Sequence, residues 1–198
     1  ALARLGMLDE AAHEEADALR MAMAQGDRRI EGAARLYLAV IHFLRSDLTA
    51  AENEALAAAE TLRVAPPVRP HALATVAQIR LAQGRREEAL KVVEEAMALL
   101  ESLGTIEEGE ASVRMVHAAA LFENGRGDEA RAAIQIAVKR LHERAAKIAD
   151  PRWRDSFLNR VPDNARTLAL ARQWQVPATY VAPASTPVPT SSRPPTAT

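Results

Sequence analysis

Residues 84–97 read GRREEALKVVEEAM, a turn residue followed by a helix-forming segment, and three other stretches share this plan. They are GMLDEAAHEEADAL from Gly6, SDLTAAENEALAAA from Ser46 and GRGDEARAAIQIAV from Gly125, so successive turn residues are 40, 38 and 41 positions apart. Five and twelve positions after the turn residue, all four stretches have alanine, at Ala11, Ala18, Ala51, Ala58, Ala89, Ala96, Ala130 and Ala137. Alanines seven positions apart lie on one helix face and let a second helix approach closely. The pattern predicts the second helix of a repeated antiparallel hairpin.

The turns and the segments before them complete the hairpin. The turn residue must tolerate a positive φ, which glycine does at least cost, so we expect a looser turn where Ser46 replaces glycine. Apolar and amphipathic segments over 31–45, 71–83 and 111–124 predict the first helices. The prediction is three hairpins at about 30–63, 70–103 and 110–148, preceded by the second helix of a truncated unit at about 7–25. Because the chain opens on an apolar-periodic segment without methionine, we interpret it as a piece of a longer polypeptide.

Composition excludes several classes of protein. Of the 198 residues 43 are alanine, aromatic residues make up 4%, and cysteine is absent. Strong helix formers with few aromatic and β-branched residues indicate an all-helical chain, and zero cysteines exclude disulfides and thiolate metal sites. No apolar stretch approaches the roughly 20 residues of a membrane span, and a net charge of −1 exerts no general attraction for nucleic acid. We therefore expect a cytoplasmic protein that binds neither membranes nor nucleic acid.

The repeated pattern resembles the tetratricopeptide repeat (TPR) family in its longer-repeat variety. Ala39, Ala77 and Ala118 match the small position of that family's first helix, and Leu38 and Val76 match the apolar position before it. The aromatic positions of the family's first helix are instead occupied by Arg35, Leu73, Arg114, His42, Arg80 and Leu121. The resemblance covers residues 1–149 and implies an all-α solenoid of helical hairpins in a right-handed superhelix.

Two further segments follow the repeats. Ala149–Trp174 holds both tryptophans and Phe157 and predicts a capping helix pair over 150–175, since an array must cover the apolar face of its last unit. This block resembles the closing segment of large bacterial signalling proteins, in which a Ser/Thr kinase or ATPase domain lies upstream. Residues 176–198 contain six of the eleven prolines and one charge, so we predict a disordered, polyproline-II-biased tail, with a PxxP ligand as the alternative.

Signals of chemistry are scarce. The motifs GxxxxGK[ST], GxGxxG, HExxH and GxSxG are absent, and His13 and Asp17 share a helix face without a third metal ligand. We therefore predict that the chain is not an enzyme and has no catalytic, metal or cofactor site. A basic stretch, Lys139, Arg140, Arg144 and Lys147, is interpreted as a solvated helix face with i,i+4 pairs, the alternative being a docking stripe for an acidic partner or phosphate.

The TPR resemblance also implies a concave groove lined by the first helices. The residues carried over to it are Leu36, Val40, Phe43, Leu44, Ala74, Gln78, Leu81, Met115, Ala119, Phe122 and Glu123. An apolar groove of this kind suits an amphipathic helix or an apolar peptide. The prediction is a non-catalytic protein–protein interaction module, the docking or sensing arm of a bacterial signalling protein. Two alternatives stay open: a sensor that binds a peptide or small molecule in the groove, and simple burial of these residues between hairpins.

Overall fold

The computed structural model describes residues 2–106 and 108–176, and over these ranges it contains nine α-helices and two short 3₁₀ segments. Apart from Val176, the predicted proline-rich tail lies outside the described residues. The 3₁₀ segments are Leu2–Leu5 and Leu62–Val64. The helices are α1 Leu8–Gln25, α2 Arg28–Leu44, α3 Leu48–Thr61, α4 Arg69–Ala82, α5 Arg86–Leu103, α6 Glu110–Glu123, α7 Gly127–Ala145, α8 Pro151–Arg160 and α9 Pro162–Gln173.

The helices stack as successive hairpins. Helices α2 and α3, α4 and α5, and α6 and α7 each form a hairpin joined by a short turn. The stack grows because α4 packs against both α2 and α3, and α6 against both α4 and α5. Helix α9 contacts α6 and α7 in the same way. It therefore takes the place that the first helix of another hairpin would occupy.

The turn at Ser46 corrects the expectation of a looser connection. Ser46 has φ +62°, in the same left-handed region as Gly84 at +78° and Gly125 at +77°. The backbone N–H of Ser46 donates to Phe43 O at 2.9 Å and that of Asp47 to His42 O at 3.0 Å, the pattern that the glycine turns also show. Serine therefore accepts the strained φ because two backbone hydrogen bonds and the cap on α3 hold the turn.

The repeated alanines lie where helices meet. Ala51, Ala58, Ala89, Ala96 and Ala130 have no exposed surface, and Ala137 is 2% exposed. Ala11 is also buried, whereas Ala18 is only half-buried. Methyl-sized side chains at these points allow close helix contact, since a larger side chain would hold the two backbones apart.

The core runs along the stack and ends at the aromatic block. One apolar cluster spans α2 to α6, a smaller one joins α2, α3 and α4, and a third joins α6, α7 and α9. Trp174, at the end of α9, is 9% exposed and belongs to the third cluster, whereas Trp153 on α8 is 68% exposed. The apolar face of α7 is therefore covered mainly by α9, and all residues of α8 remain exposed or half-buried.

Candidate functional site

Three of the predicted groove residues lie in or against the core cluster that spans α2 to α6. Leu36 and Met115 are each 2% exposed, and Leu81 packs, partly buried, against the same cluster. Ala74, also carried over to the groove, has no exposed surface. Leu36, Met115 and Ala74 pack helices together and offer almost no accessible surface to a partner.

The remaining predicted residues of α2 and α4 reach the surface to different extents. Phe43 packs, partly buried, against the cluster that contains Val76 and Ile79, and Val40 and Gln78 are half-buried. Leu44, at the end of α2, is 50% exposed. Accessible apolar surface among these residues of α2 is thus concentrated toward its C-terminal end.

Among the predicted residues of α6, Phe122 contacts the end of α9. The rings of Phe122 and Trp174 are stacked with centroids 4.7 Å apart and an interplanar angle of 12°, and Phe122 is nevertheless 41% exposed. Glu123 forms an ion pair with Arg86 of α5, with 3.3 Å between Oε2 and Nε, and Ala119 is half-buried. The C-terminal ends of α6 and α9 therefore present a rigid aromatic surface with a charged rim.

A cavity lies at the other end of these helices and was not predicted. It has a volume of about 170 Å³ and is lined by the first turn of α6, the first turn of α9, His71 of α4 and the C-terminal half of α7. It shares Glu108, Glu110, Arg140, Arg144 and Phe157 with a neighbouring cleft of about 1170 Å³. Because α4, α6 and α9 point the same way, their N-terminal ends meet here, just as the C-terminal ends of α6 and α9 meet at Phe122 and Trp174.

Glu110 organises the charged wall of this cavity. Its side chain is 2% exposed, and Oε1 accepts from Arg114 Nε at 2.9 Å and from Arg140 Nε at 3.0 Å. Oε2 accepts from Arg144 Nη1 at 3.4 Å. Burial alone would raise the pKa of Glu110, but hydrogen bonds from Arg140 and Arg114 outweigh it and hold the pKa below its ordinary value. The carboxylate is therefore ionised and fixes three guanidinium groups from two helices.

His71 lines the same cavity, and its Nδ1 is buried without a hydrogen-bond partner. Nδ1 of His71 is the one buried side-chain nitrogen or oxygen in residues 2–106 and 108–176 that lacks a hydrogen-bond partner. The ring packs against Gly109, where φ is +85° and an added Cβ would lie 2.9 Å from Nδ1. Burial lowers the pKa of His71, and the charges of Glu108 and Asp163 oppose that shift only in part. The imidazole is therefore neutral near pH 7.

Tyr37 links α2 to the segment that precedes α6. Its hydroxyl donates to Glu108, with oxygen–oxygen distances of 2.8 and 2.9 Å. Burial, followed by the hydrogen bond and charge of Glu108, raises the pKa of Tyr37 to about 12. The contact spans 71 positions of sequence and connects two units that are not adjacent in the stack.

The sequence did not locate this cavity, although Arg140 and Arg144, which line it, belong to the basic stretch whose alternative interpretation is a docking stripe for an acidic partner or phosphate. Glu110 follows a glycine at the start of α6, where a carboxylate is expected to be solvated, but in the structure arginines of α6 and α7 contact it. The basic stretch that contains Arg140 and Arg144 predicts a solvated face. In the structure their side chains are 36% and 38% exposed and both reach Glu110.

The described residues give little support for other kinds of site. In the described ranges, no group of three or more histidine, aspartate or glutamate side chains is arranged to hold a metal ion. None of the helices in this part of the chain is long and apolar enough to cross a membrane. His13 Nε2 lies 3.9 Å from Asp17 Oδ2 on an exposed face of α1.

Comparison with known proteins identifies the fold. No family model and no curated protein sequence matches the chain. The structure is similar to two crystal structures of TPR-like repeats from a putative kinesin light chain of Podosopora anserina, each 14% identical to this chain. The first structure, a variant form of those repeats, has a TM-score of 0.56 and covers 88% of this chain and 89% of its own chain. The second has a TM-score of 0.55 and covers 88% of this chain and 90% of its own chain. The predicted all-α, TPR-like solenoid is confirmed.

Proposed function

We propose that this chain is a non-catalytic protein–protein interaction module that binds an amphipathic helix or an apolar peptide along its first helices. The observation that carries the proposal is the Phe122 ring, which is held by stacking on Trp174 and is still 41% exposed. A rigid aromatic side chain loses little conformational entropy on binding and serves well as an anchor. Leu44, 50% exposed at the end of α2, adds a second apolar contact on a first helix.

The surroundings favour an amphipathic partner over a purely apolar one. Glu123 and Arg86 form an ion pair beside Phe122, and Gln78 adds a polar side chain on α4. A partner helix would place apolar residues at i, i+3, i+4 and i+7 on the anchors and polar residues toward this rim. Of the groove candidates, Leu36 and Met115 would act only by supporting the surface, because both are buried.

A binding experiment with displayed helical peptides tests the proposal. Peptides with one apolar stripe are selected from a library, and their affinity is measured by fluorescence anisotropy for the wild type and for the Leu44→Gln/Phe122→Gln variant. We expect the double variant to bind at least roughly 30-fold more weakly, the loss typical of a central anchor. Leu36 is left unchanged because a polar side chain at this buried position would destabilise the hairpin itself.

Ile136→Gln is the matched control. Ile136 is an apolar side chain of α7 that is 53% exposed, but it lies on a second helix. Its substitution should leave the affinity within about twofold, since isolated surface contacts contribute little. Equal affinities of the wild type and the Leu44→Gln/Phe122→Gln variant, with both folded, would show that the first helices are not the binding surface.

The proposal extends to the organisation of the chain. TPR-like repeats over 1–149 followed by a capping pair over 150–175 are supported by the helix bounds and by burial of Trp174 against α6 and α7. The resemblance of Ala149–Trp174 to the end of bacterial signalling proteins supports a cytoplasmic docking or sensing arm joined to a kinase or ATPase domain. Sequencing the DNA that precedes the codon for Ala1 tests this part of the proposal directly.

A sensor that binds a peptide or small molecule in the groove is the second candidate function. The observation that favours small-molecule binding is the cavity lined by His71, which contains none of the predicted groove residues. Calorimetry against peptide and small-molecule libraries distinguishes the two. Binding of peptides alone supports the docking function, and binding of small molecules alone supports the sensor.

A further inference from the structure

The contact between Tyr37 and Glu108 joins α2 to the start of a hairpin that lies two positions further along the stack. Helix packing connects neighbouring hairpins, α4 with α2 and α3, and α6 with α4 and α5. When units contact only their neighbours, small rotations between them add up and change the curvature of the whole array. The Tyr37 hydroxyl instead donates to Glu108, which lies two residues before α6. This hydrogen bond therefore acts on the angle between hairpins that are two apart.

The backbone on both sides of Glu108 is held in place. Ile106, two residues earlier, is 3% exposed and belongs to the core cluster that spans α2 to α6. Gly109, one residue later, lies so close to His71 of α4 that an added Cβ would collide with the imidazole ring. Glu108 is thus fixed relative to α4 and α6. If α2 moved away from them, the hydrogen bond would break, because Glu108 could not follow Tyr37.

The same contact ties together two elements that line the cleft of about 1170 Å³. Arg29, in the first turn of α2, and Val68, before α4, line this cleft, and Glu108 lines it as well. Tyr37 and Arg29 belong to one helix, so they move together when α2 moves. A change in the distance between Tyr37 and Glu108 would therefore also change the width of the cleft.

The Tyr37–Glu108 hydrogen bond has the strength of a reversible contact. The hydroxyl lies 2.8 and 2.9 Å from the two carboxylate oxygens, whereas Tyr37 is 36% exposed, so water competes for both groups. A hydrogen bond to a charged group in such a position changes an equilibrium by about tenfold. That is enough to favour one curvature of the array, and another interaction of ordinary strength is enough to release it.

We propose that the Tyr37–Glu108 hydrogen bond is a brace that sets the curvature of the array, holding α2 toward the start of α6 and limiting the width of the cleft. The brace acts on the angle between hairpins through residues at the N-terminal side of α6, whereas Phe122 lies at the C-terminal end of that helix. The proposal therefore does not depend on peptide binding at Phe122.

A distance measurement by pulsed electron paramagnetic resonance on the full chain tests the proposal. The chain has no cysteine, so spin labels go only to cysteines introduced at Asn53 and Gln135, which are exposed positions of α3 and α7. These helices belong to the two hairpins that the brace connects. In the labelled parent we expect one narrow distance distribution. Tyr37→Phe, which keeps the ring and removes the hydroxyl, should raise the fraction outside it at least about fivefold. An unchanged distribution would overturn the proposal.

Two further variants assign the effect to this hydrogen bond. Thr75→Val is the matched control, because the Thr75 hydroxyl donates to His71 O at 2.9 Å within α4, and its loss should leave the distance distribution unchanged. Glu108→Ala should broaden the distribution as Tyr37→Phe does, and the double variant should broaden it no further, since all three remove the same bond. Additive broadening in the double variant, or equal broadening in Thr75→Val, would contradict the assignment.

Discussion

At the scale of single residues, the most demanding electrostatic arrangement is that of Glu110. Its carboxylate is buried, and three guanidinium groups from α6 and α7 surround it. A buried ion pair is expensive to form, but removing one partner is more damaging, because the other charges then remain desolvated and unpaired. Glu110 therefore joins the start of α6 to the end of α7.

Glu110→Gln should destabilise the chain by about 3 kcal/mol, since glutamine keeps the shape of the side chain but removes the buried carboxylate on which three arginines converge. The measurement is the free energy of unfolding in urea. Glu123→Gln is the control, because Glu123 is 46% exposed in its pair with Arg86 and should change stability by less than about 1 kcal/mol. Similar losses in the free energy of unfolding for both variants would mean that the burial of Glu110 does not increase its contribution to stability.

At the scale of helices, the repeated alanines decide how closely hairpins approach. Ala89 and Ala96 lie on one face of α5 and have no exposed surface, while Ala98, two positions further along, is exposed. The same helix thus presents a face that tolerates only a methyl group and a face open to solvent. The volume at the first face sets the distance between neighbouring helices.

Ala96→Leu should destabilise the chain by about 1–3 kcal/mol, because three extra carbon atoms must fit into a fully packed contact. Ala98→Leu introduces the same side chain on the exposed face of α5 and should change stability by no more than about 0.5 kcal/mol. Thermal unfolding followed by circular dichroism compares the two variants. If Ala98→Leu lowers the melting temperature as much as Ala96→Leu does, close packing at position 96 is not the cause.

At the scale of the whole molecule, the pH dependence of stability follows from groups buried where units meet. Burial lowers the pKa of His71 and of His117, so both favour the neutral form in the folded state. Glu108, Asp163 and Arg4 face His71, and Glu94, Arg126, Glu101 and Arg114 face His117. In the unfolded chain both histidines titrate near their ordinary pKa of about 6.5.

Stability should therefore rise with pH between about pH 5 and pH 7, since in this range the unfolded state binds more protons than the folded state. The two histidines make their full contribution to stability above their pKa in the unfolded chain. This contribution is lost as the pH falls toward their lower pKa in the folded chain. Urea unfolding at several pH values measures the slope, and the His71→Phe/His117→Phe variant should flatten it. An equally steep slope in the double variant would assign the effect to other groups.

The all-α hairpin fold was predictable from the sequence, because alanine and glycine act locally, through the space at a helix contact and the φ of a turn. The same logic misjudged Ser46, whose left-handed φ is held by neighbouring backbone hydrogen bonds and not by the residue type. The exposure of residues on the first helices depended on the tertiary structure. Leu36 and Met115 are buried and Phe122 is not, because coverage depends on how far each neighbouring helix reaches.

The cavity depended on the tertiary structure entirely. His71, Glu110 and Arg140 are separated by tens of positions along the chain, and only the stacking of α4, α6, α7 and α9 brings them together. The sequence by itself therefore determined an all-α array of hairpins and its period, since both arise from contacts within a unit. The tertiary structure decided which side chains are accessible and where charge is buried, because those properties arise from contacts between units.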